Sequence, residues 1–492
     1  MKIVVCGGGT AGWLAALMIK KIQPNQEVTV IESSKIGIVG AGEGSTGYLT
    51  DIVQGAQWNY GCNEEDFLRE TGATIKLGIK HRDWKEVGHT YYGPIDGTGN
   101  SPDITLCHAL VNDLPAHTVS QNGYLIAAGK TNFYLKDGKL DNTHNHGYHF
   151  DAHRVGQYFK KIVTACGARH IDSEILDVKV NHRGIESLTL SNGDTVTADL
   201  FIDCTGFARK LATALDMSWV SYKKNLPVDT AMPFLIKHRP GEAIEPVTTA
   251  WAQKAGWMWQ IPTADRIGAG YVFDSNFITP DQAQQEIESV LGHEIEPIRF
   301  LKFETGRLNK FWHKNCLAVG LCAAFAEPLE ATSIHSTIVQ LNSFIFDYLK
   351  DTPQDTENSG AQTLYNRRMS TMYDDFKDFL VLHYQTKRSD SEFWRWMSTG
   401  ETSTEAVNTI IELSKSKLPQ SCDFNAYFGY AGHPLWNWVL IGLGYINKTN
   451  AEKELNFYSI DRDDLEFRCN FYRESMQAQS DIMLPNSYFV NT

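Results

Sequence analysis

Apolar and polar positions follow the periods of strands and helices from the start of the chain. Residues 2–6 form a short apolar run, residues 13–20 carry apolar positions at helical spacing, and residues 27–31 form a second short run rich in β-branched side chains. Strand, glycine-rich turn, helix and strand therefore follow one another within about 30 residues, which is the opening of a doubly wound sheet. Further strands are predicted at residues 177–180, 186–190, 195–202, 267–273 and 316–319.

The pattern changes near residue 345. Before it, strands and helices alternate as in an α/β fold. After it, apolar residues recur at helical spacing with proline punctuation, and helices are predicted at residues 336–350, 360–385 and 402–416. The sequence predicts an α/β module over residues 1–345 and a mainly helical region over residues 346–492.

Composition narrows the function classes. The net charge is −13, from 45 basic and 58 acidic side chains, so a nucleic-acid partner is not expected. The nine cysteines include no Cys-x-x-Cys pair, which gives no support for a zinc ribbon or a dithiol redox site. With no signal-peptide pattern and no apolar run long enough to cross a bilayer, we expect a cytoplasmic protein with no membrane partner.

The first motif is Gly7-x-Gly9-x-x-Gly12, which contains Thr10 and Ala11 and lies between the first strand and the first helix. Glycines let a pyrophosphate approach the backbone at a helix N-terminus. Glu32, which ends the second strand, is placed to accept hydrogen bonds from an adenosine ribose. The motif indicates a dinucleotide but does not separate FAD from NAD, and a glycine-rich turn without ligand is the simpler alternative.

Three further segments each allow two interpretations. The glycine-rich stretch Val39–Thr46 is either a strap over a ligand or a plain loop. Residues 71–80 predict a strand with Lys76, Gly78 and Lys80 on one face, where a lysine is either a solvated edge residue or a buried group with a chemical role. Trp257 and Trp259 share one strand face, where they are either ordinary aromatic residues of the hydrophobic core or the wall of a functional site.

Together these segments resemble the flavin-dependent halogenases of the tryptophan-halogenase type, in family order over about residues 2–340. The matching blocks are Gly7–Trp13, Gly40–Glu43, the lysine strand at 72–80, His149–His153, Asp203–Gly206, Trp257-x-Trp259-x-Ile261-Pro262 and Glu327–Glu330. The resemblance implies an FAD-binding Rossmann-like module of the hydroxylase or glutathione-reductase type, with substrate-contacting loops interleaved at about residues 85–150 and a helical substrate-side region after residue 345.

The resemblance also implies roles for individual positions. Lys76 and Glu330 match the family's catalytic lysine and glutamate, and the backbone amides of Thr332 and Ser333 match its halide site. The expected cofactor-binding residues are Gly7, Gly9, Thr10, Ala11, Gly12, Glu32, Gly40, Gly42, Glu43 and Gly320. The expected substrate and tunnel residues are Trp257, Trp259, Ile261, Pro262, Tyr92 and Pro94. Leu321 and Cys322 stand where related FAD hydroxylases carry an aspartate.

The implied reaction is electrophilic halogenation of an electron-rich aromatic ring, indole-like or phenol-like. Reduced FAD, O2 and a halide, chloride or bromide, would give hypohalous acid, which an internal tunnel would deliver to Lys76. A separate NAD(P)H-dependent flavin reductase would supply reduced flavin, and a homodimer is an open alternative to a monomer. No metal is expected. The competing interpretations are an FAD-dependent aromatic hydroxylase and a non-catalytic flavin-binding protein.

Overall fold

The computed structural model describes residues 1–37, 40, 42–97, 103–143, 146–349, 359–424 and 433–490. Strands and helices are numbered in chain order. The strands are β1 Lys2–Cys6, β2 Glu27–Glu32, β3 Glu43–Gly44, β4 Thr74–Lys76, β5 Gly78–Arg82, β6 Thr90–Pro94, β7 Phe133–Lys136, β8 Lys139–Asn142, β9 Gly147–Phe150, β10 Arg169–Asp172, β11 Ile175–Asn181, β12 Gly184–Leu190, β13 Thr195–Val196, β14 Leu200–Asp203, β15 Trp219–Ser221, β16 Thr230–Ile236, β17 Val247–Gln253, β18 Gly256–Pro262, β19 Ile267–Phe273, β20 Leu301–Lys302, β21 Gly306–Leu308, β22 Trp312–His313, β23 Cys316–Ala318 and β24 Ala324–Phe325.

The helices lie between these strands and after them. They are α1 Thr10–Ile22, α2 Gly47–Gln54, α3 Glu64–Thr71, α4 Ile104–Val111, α5 Gln121–Ala127, α6 Ala152–Ala165, α7 Lys210–Ala214, α8 Pro280–Leu291, α9 Thr332–Asn342, α10 Ser359–His383, α11 Glu392–Met397, α12 Glu405–Ser414, α13 His433–Leu443, α14 Lys448–Phe457 and α15 Arg462–Ile482. Within the described ranges, none of them combines the length and apolar character that crossing a bilayer requires.

The chain divides into two compact units, each built from three segments. The first unit comprises Met1–Ala73, Phe150–Lys223 and Phe303–Asp374; the second comprises Thr74–His149, Lys224–Lys302 and Asp375–Thr492. The sequence predicted a single boundary at residue 345, whereas these units interleave along the chain. The prediction of helices after that boundary agrees with α10 to α15.

A six-stranded sheet forms the centre of the first unit, in the order β10-β2-β1-β14-β23-β22. Its strands run parallel except for the edge strand β22. Residues 3–6 of β1 are all buried, as expected for a parallel strand covered on both faces. Helices α1 and α6 pack against each other beside this sheet, so the predicted α/β architecture is confirmed.

A seven-stranded sheet forms the centre of the second unit, in the order β20-β16-β19-β18-β17-β5-β6. Only the β17–β5 pair is parallel. The predicted strand at 267–273 is confirmed as β19. Because α8 begins with a Thr279 capping box and a proline in its first turn, the chain turns sharply into a helix soon after β19.

Two predicted strands are each divided in the structure. Residues 195–202 form β13 and β14. Between them, the Asp199 N–H donates to the Lys2 carbonyl at 2.9 Å and the Asp199 side chain accepts from the Lys2 N–H at 2.7 Å. Residues 71–80 form β4 and β5, because the Leu77 N–H donates to the Pro246 carbonyl at 2.7 Å and the chain changes sheet there. The prediction that Lys76 and Lys80 share one strand face is therefore wrong.

Candidate active site

The turn between β1 and α1 requires glycine at two of its three motif positions. Gly7 has a φ of +116°, and a Cβ atom there would lie 2.1 Å from the carbonyl oxygen of Cys204. A Cβ atom at Gly12 would lie 1.9 Å from the carbonyl oxygen of Gly7. Neither clash can be relieved by moving a side chain, since both partners are backbone atoms. The fold alone therefore explains these two glycines.

Gly9 differs, because the fold does not require a glycine there. Its φ of −73° and ψ of 179° suit any residue, and an added Cβ would meet no atom of the described residues within 4 Å. Gly9 also precedes the first turn of α1, and no side chain in the described ranges caps that turn. An open cradle over unpaired N–H groups at a helix N-terminus fits the pyrophosphate of a dinucleotide.

Glu32 is held in place by two hydrogen-bond donors, Lys160 and Trp13, and His170 lies close to it. Lys160 Nζ and His170 Nε2 lie 2.7 Å and 2.9 Å from its Oε1 atom, and Trp13 Nε1 donates to Oε2 at 3.3 Å. Gly8 makes room for it, since a Cβ atom there would lie 1.6 Å from Oε2. A carboxylate offers about four acceptor positions, so a ribose hydroxyl can still bind. Sequence reasoning found the carboxylate but missed the two donors that orient it.

Gly320 and Ala11, two predicted cofactor residues, are neighbours in the structure. Gly320 has a φ of +69°, and a Cβ atom there would lie 2.9 Å from the Cβ of Ala11. The glycine therefore lets the turn after β23 approach the first turn of α1. The hydroxyl of Thr10 donates to the carbonyl of Ala152 at 3.3 Å, so this side chain joins α1 to the start of α6.

The strap predicted at residues 39–46 is described in part, since Val39 and Ala41 lie outside the described residues. The described part includes the predicted residues Gly40, Gly42 and Glu43. Gly42 has a φ of +94°, which accounts for glycine at this position. Desolvation, followed by the charge of Asp151, raises the pKa of Glu43 to about 7.

The segment that carries Glu330 has an unusual backbone. Glu327, Glu330 and Ala331 have φ values of +110°, +66° and +54°, although none of them is glycine. Each such residue costs on the order of 1 kcal/mol or more and persists only where the surrounding structure fixes it. Glu327 is buried, whereas Glu330 is partly exposed. The strained turn thus fixes the direction in which the Glu330 side chain leaves the backbone.

The predicted halide residues begin α9 directly after this turn. Thr332 and Ser333 occupy its first two positions, where N–H groups have no partner within the helix. His335, one turn further on, was missed from sequence; its Nδ1 atom lies 3.0 Å from the Thr46 hydroxyl. Burial lowers the pKa of His335 to about 3, so its ring is neutral at pH 7. The N-terminus of α9 is therefore a suitable place for a small anion.

Replacing Ala331 with glycine should stabilise the protein. Glycine relieves the positive φ of this position, and we expect the free energy of unfolding to rise by about 0.5–1 kcal/mol after the extra freedom of the unfolded chain is subtracted. Ala323→Gly is the matched control, since Ala323 has ordinary helical angles and should lose stability. Chemical denaturation of both variants checks this. Equal destabilisation by the two changes would contradict the strain at position 331.

Lys76 is the most deeply buried charged residue among the predicted site positions, at 1% exposure in the second unit. Its strand β4 pairs with β9, which aligns Lys76 with Gly147 and Thr74 with His149. Burial, followed by the positive charge of Lys76, holds the pKa of His149 well below its usual range. His149 is therefore neutral at pH 7, and its Nε2 atom lies 2.9 Å from the Thr248 hydroxyl.

The two predicted tryptophans lie on one face of β18, as the pattern indicated. Both are buried, and their ring centres are 6.4 Å apart. The ring of Trp259 covers Gly270 of β19, where a Cβ atom would lie 2.1 Å from it. The same strand ends at Ile261 and Pro262, and the Pro262 carbonyl accepts a hydrogen bond from Thr74 of β4 at 2.5 Å. The tryptophan strand and the lysine strand are thus linked directly.

Tyr92 and Pro94 lie on β6, opposite Lys80 and Gly78 of β5. The ring of Tyr92 contacts His117 at a centroid distance of 4.6 Å, and burial lowers the pKa of His117 to about 4. Sequence reasoning missed a buried aromatic and histidine cluster formed by β5, β6, the residues after β5 and the end of α10. Its members are His81, Trp84, Tyr91 and His383, with the rings of His81 and Tyr91 stacked at 4.5 Å.

The parallel sheet, the open cradle at Gly9 and the oriented Glu32 place the protein in the class of dinucleotide-binding α/β proteins. Comparison with known proteins identifies the family within this class. The family model for tryptophan halogenase matches residues 2–455. The tryptophan 6-halogenase SttH of Streptomyces toxytricini is 31% identical over 90% of this chain and 89% of its own, and the tryptophan 7-halogenase RebH of Lentzea aerocolonigenes is 30% identical over 90% of each.

Solved structures agree with these relatives. Tar14, a tryptophan C-6 flavin-dependent halogenase from taromycin biosynthesis, superposes with a TM-score of 0.90 at 29% identity, covering 99% of this chain and 98% of its own. The chain belongs to the tryptophan halogenase family. It is a flavin-dependent halogenase, and its fold is the FAD-binding Rossmann-like fold that the sequence resemblance implied.

Proposed function

We propose that this protein halogenates an electron-rich aromatic ring, indole-like or phenol-like, with a halogen electrophile held at Lys76. The burial of Lys76 in a member of this family carries the proposal. Lysine is almost never fully buried without a partner or a purpose, because removing an ammonium group from water costs several kcal/mol. The relatives named above act on tryptophan, which makes indoles the first substrates to test.

The first unit supplies the oxidant. Gly7, Gly9 and Gly12, together with Glu32, would hold FAD. Bound as FADH2, the flavin supplies two electrons, so that O2, halide and a proton give hypohalous acid and water. The N–H groups of Thr332 and Ser333 would hold the halide at the start of α9. The hypohalous acid then travels inside the protein to Lys76.

The second unit supplies the acceptor of that oxidant. The Lys76 ammonium would donate a hydrogen bond to the oxygen of hypohalous acid, which makes the halogen more electrophilic. It would then transfer that proton, so that the oxygen leaves as water. The ring would form a carbon–halogen bond and lose a proton, which Glu330, a residue of the first unit, would accept. Glu330 would then release a proton to solvent, and Lys76 would regain one from it. Overall, ring C–H and hypohalous acid give ring C–halogen and water. Trp257, Trp259, Ile261 and Pro262 provide an apolar wall that limits competing reactions with water.

The substrate would be held by the elements that flank β5. Tyr92, supported by His117, offers an aromatic face, and Pro94 offers a buried apolar one. Aromatic and proline faces favour a flat ring over an aliphatic substrate. Reduced flavin would come from a separate NAD(P)H-dependent reductase.

A reconstituted assay tests this proposal. The purified chain is combined with FAD, NADH, an independent flavin reductase, chloride or bromide, and a panel containing tryptophan, other indoles and phenols. Mass spectrometry should show a product heavier by one halogen minus one hydrogen, with the isotope pattern of that halogen. Product that gains oxygen instead and forms without halide, with NADH consumed in the absence of reductase, would identify a hydroxylase and contradict the proposal.

A further inference from the structure

Strand β4 has only three residues, and a side chain completes its second edge. Successive residues of a strand direct their backbone groups to opposite edges. Thr74 and Lys76 align with β9 at one edge, so the N–H and C=O of Ile75 point to the other. There the Ile75 N–H donates to Asn486 Oδ1 at 2.9 Å, and Asn486 Nδ2 donates to the Ile75 carbonyl at 2.9 Å. One side-chain amide thus takes the place of a neighbouring strand.

The position of Asn486 is itself fixed by hydrogen bonds and packing on either side of it. It is 1% exposed and lies 411 residues after its partner. Just before it, Leu484 donates to the Phe133 carbonyl and accepts from the Thr131 N–H, both at 2.8 Å. Just after it, the ring of Phe489 packs edge-on against Phe133 at a centroid distance of 5.3 Å. The amide is therefore fixed to β7, so it can restrain β4 instead of moving with it.

We propose that Asn486 is a positioning residue that fixes the direction of the Lys76 side chain. The proposal rests on the role of Lys76 in the proposed function. Ile75 directly precedes the lysine, and loss of the amide removes both hydrogen bonds of Ile75 at this edge. The remaining restraints include β9, the Thr74 hydroxyl and, one residue beyond Lys76, the hydrogen bonds of Leu77 with Pro246 and Ile95. A small rotation of so short a strand moves the end of a lysine side chain by an ångström or more. Misplacement on the order of 1 Å can cost about a hundredfold in rate.

Asn486→Ala and Asn486→Asp test the proposal, with Asn450→Ala as the matched control. Asn450 is also a buried asparagine of the second unit, and its Nδ2 donates to the Ser414 carbonyl at 2.9 Å, away from β4. Asn486→Asp keeps the acceptor for the Ile75 N–H and loses the donor, so its effect should lie between those of the wild type and Asn486→Ala. It replaces the alanine variant in these measurements if that variant folds poorly. All variants are compared below their melting temperatures.

Two measurements separate positioning from general stability. Hydrogen exchange of peptides spanning residues 73–77 needs no flavin, and Asn486→Ala should speed exchange there at least tenfold while Asn450→Ala does not. The second measurement uses the reconstituted reaction with a solution trap for hypohalous acid. With Asn486→Ala, the trap should capture more oxidant than with the wild type, and the yield of halogenated aromatic product should fall at least tenfold. The rate of NADH consumption should be unchanged.

The outcomes are distinguishable. If Asn486→Ala changes the division of oxidant between trap and substrate no more than Asn450→Ala, the positioning role is wrong. If Lys76→Ala still transfers halogen to the substrate, the proposed function itself fails, whatever the Asn486 variants do. Loss of transfer in Lys76→Ala, faster exchange at residues 73–77 and oxidant lost to the trap in both Asn486 variants together support the assignment.

Discussion

Replacing Lys76 with alanine lowers halogenation of the aromatic substrate by at least about a hundredfold, because the group that binds and activates hypohalous acid is lost. FAD binding should be unchanged, since the cradle at Gly9 and Glu32 belongs to the first unit. Hypohalous acid should still form and be captured by a solution trap. Product by mass spectrometry, trapped oxidant and FAD affinity are measured on the same preparation.

Lys80→Ala is the matched control for this prediction. Lys80 lies on β5, which follows β4 in the chain but belongs to another sheet, and its Nζ atom forms a surface ion pair with Glu245 at 2.9 Å. Removing it should cost little stability and leave halogenation within about twofold of the wild type. Lys76→Met adds a second control, because methionine keeps the volume of the buried side chain and removes its charge. Wild-type product from Lys76→Met would show that the ammonium group has no role.

Gly12 and Gly9, two glycines of the first motif, should respond to substitution in different ways. Gly12→Ala should destabilise the protein by at least about 3 kcal/mol or prevent folding, since its Cβ would lie 1.9 Å from a backbone oxygen. Gly9→Ala should fold with a stability within about 1 kcal/mol of the wild type. Its affinity for FAD should nevertheless fall at least about tenfold, because the new methyl group enters the space kept for the pyrophosphate.

Thermal unfolding and FAD titration check both changes. Gly9→Val enlarges the obstruction and should weaken FAD binding further without unfolding the protein. The cradle assignment is contradicted if Gly9→Val binds FAD as the wild type does. The steric argument is contradicted if Gly12→Ala unfolds at the wild-type temperature.

Local pattern predicted the strands and the helix that frame the proposed nucleotide site. The order of β1, turn, α1 and β2 is set within 32 residues by apolar spacing and glycine, so Gly9 and Glu32 were found from sequence. Family resemblance then supplied Lys76 and Glu330, which periodicity alone could not distinguish from an edge lysine and a surface glutamate. The structure adds the burial of Lys76 and the positive φ of Glu330.

The rest depends on contacts that no local pattern encodes. The break between β4 and β5 comes from the carbonyl of Pro246, about 170 residues away. Positive φ at Glu327 and Ala331 contradicts residue preference, so only the surrounding packing imposes it. Asn486 occurs in an unremarkable Pro-Asn-Ser sequence, and its role is set by its distance in space from Ile75.

The interleaving of the two units along the chain affects how the protein folds during synthesis. In the strand order β1-β14-β23, residues 3–6 pair with residues 200–203, and residues 201–203 pair in turn with residues 316–318. At about 5–20 residues per second, the central sheet waits tens of seconds on the ribosome for its last parallel member. We therefore expect the nascent chain to depend strongly on chaperones during translation. A chimera made by joining this protein to a relative at a single crossover point would divide both units, so a functional chimera needs exchanges at several matched junctions.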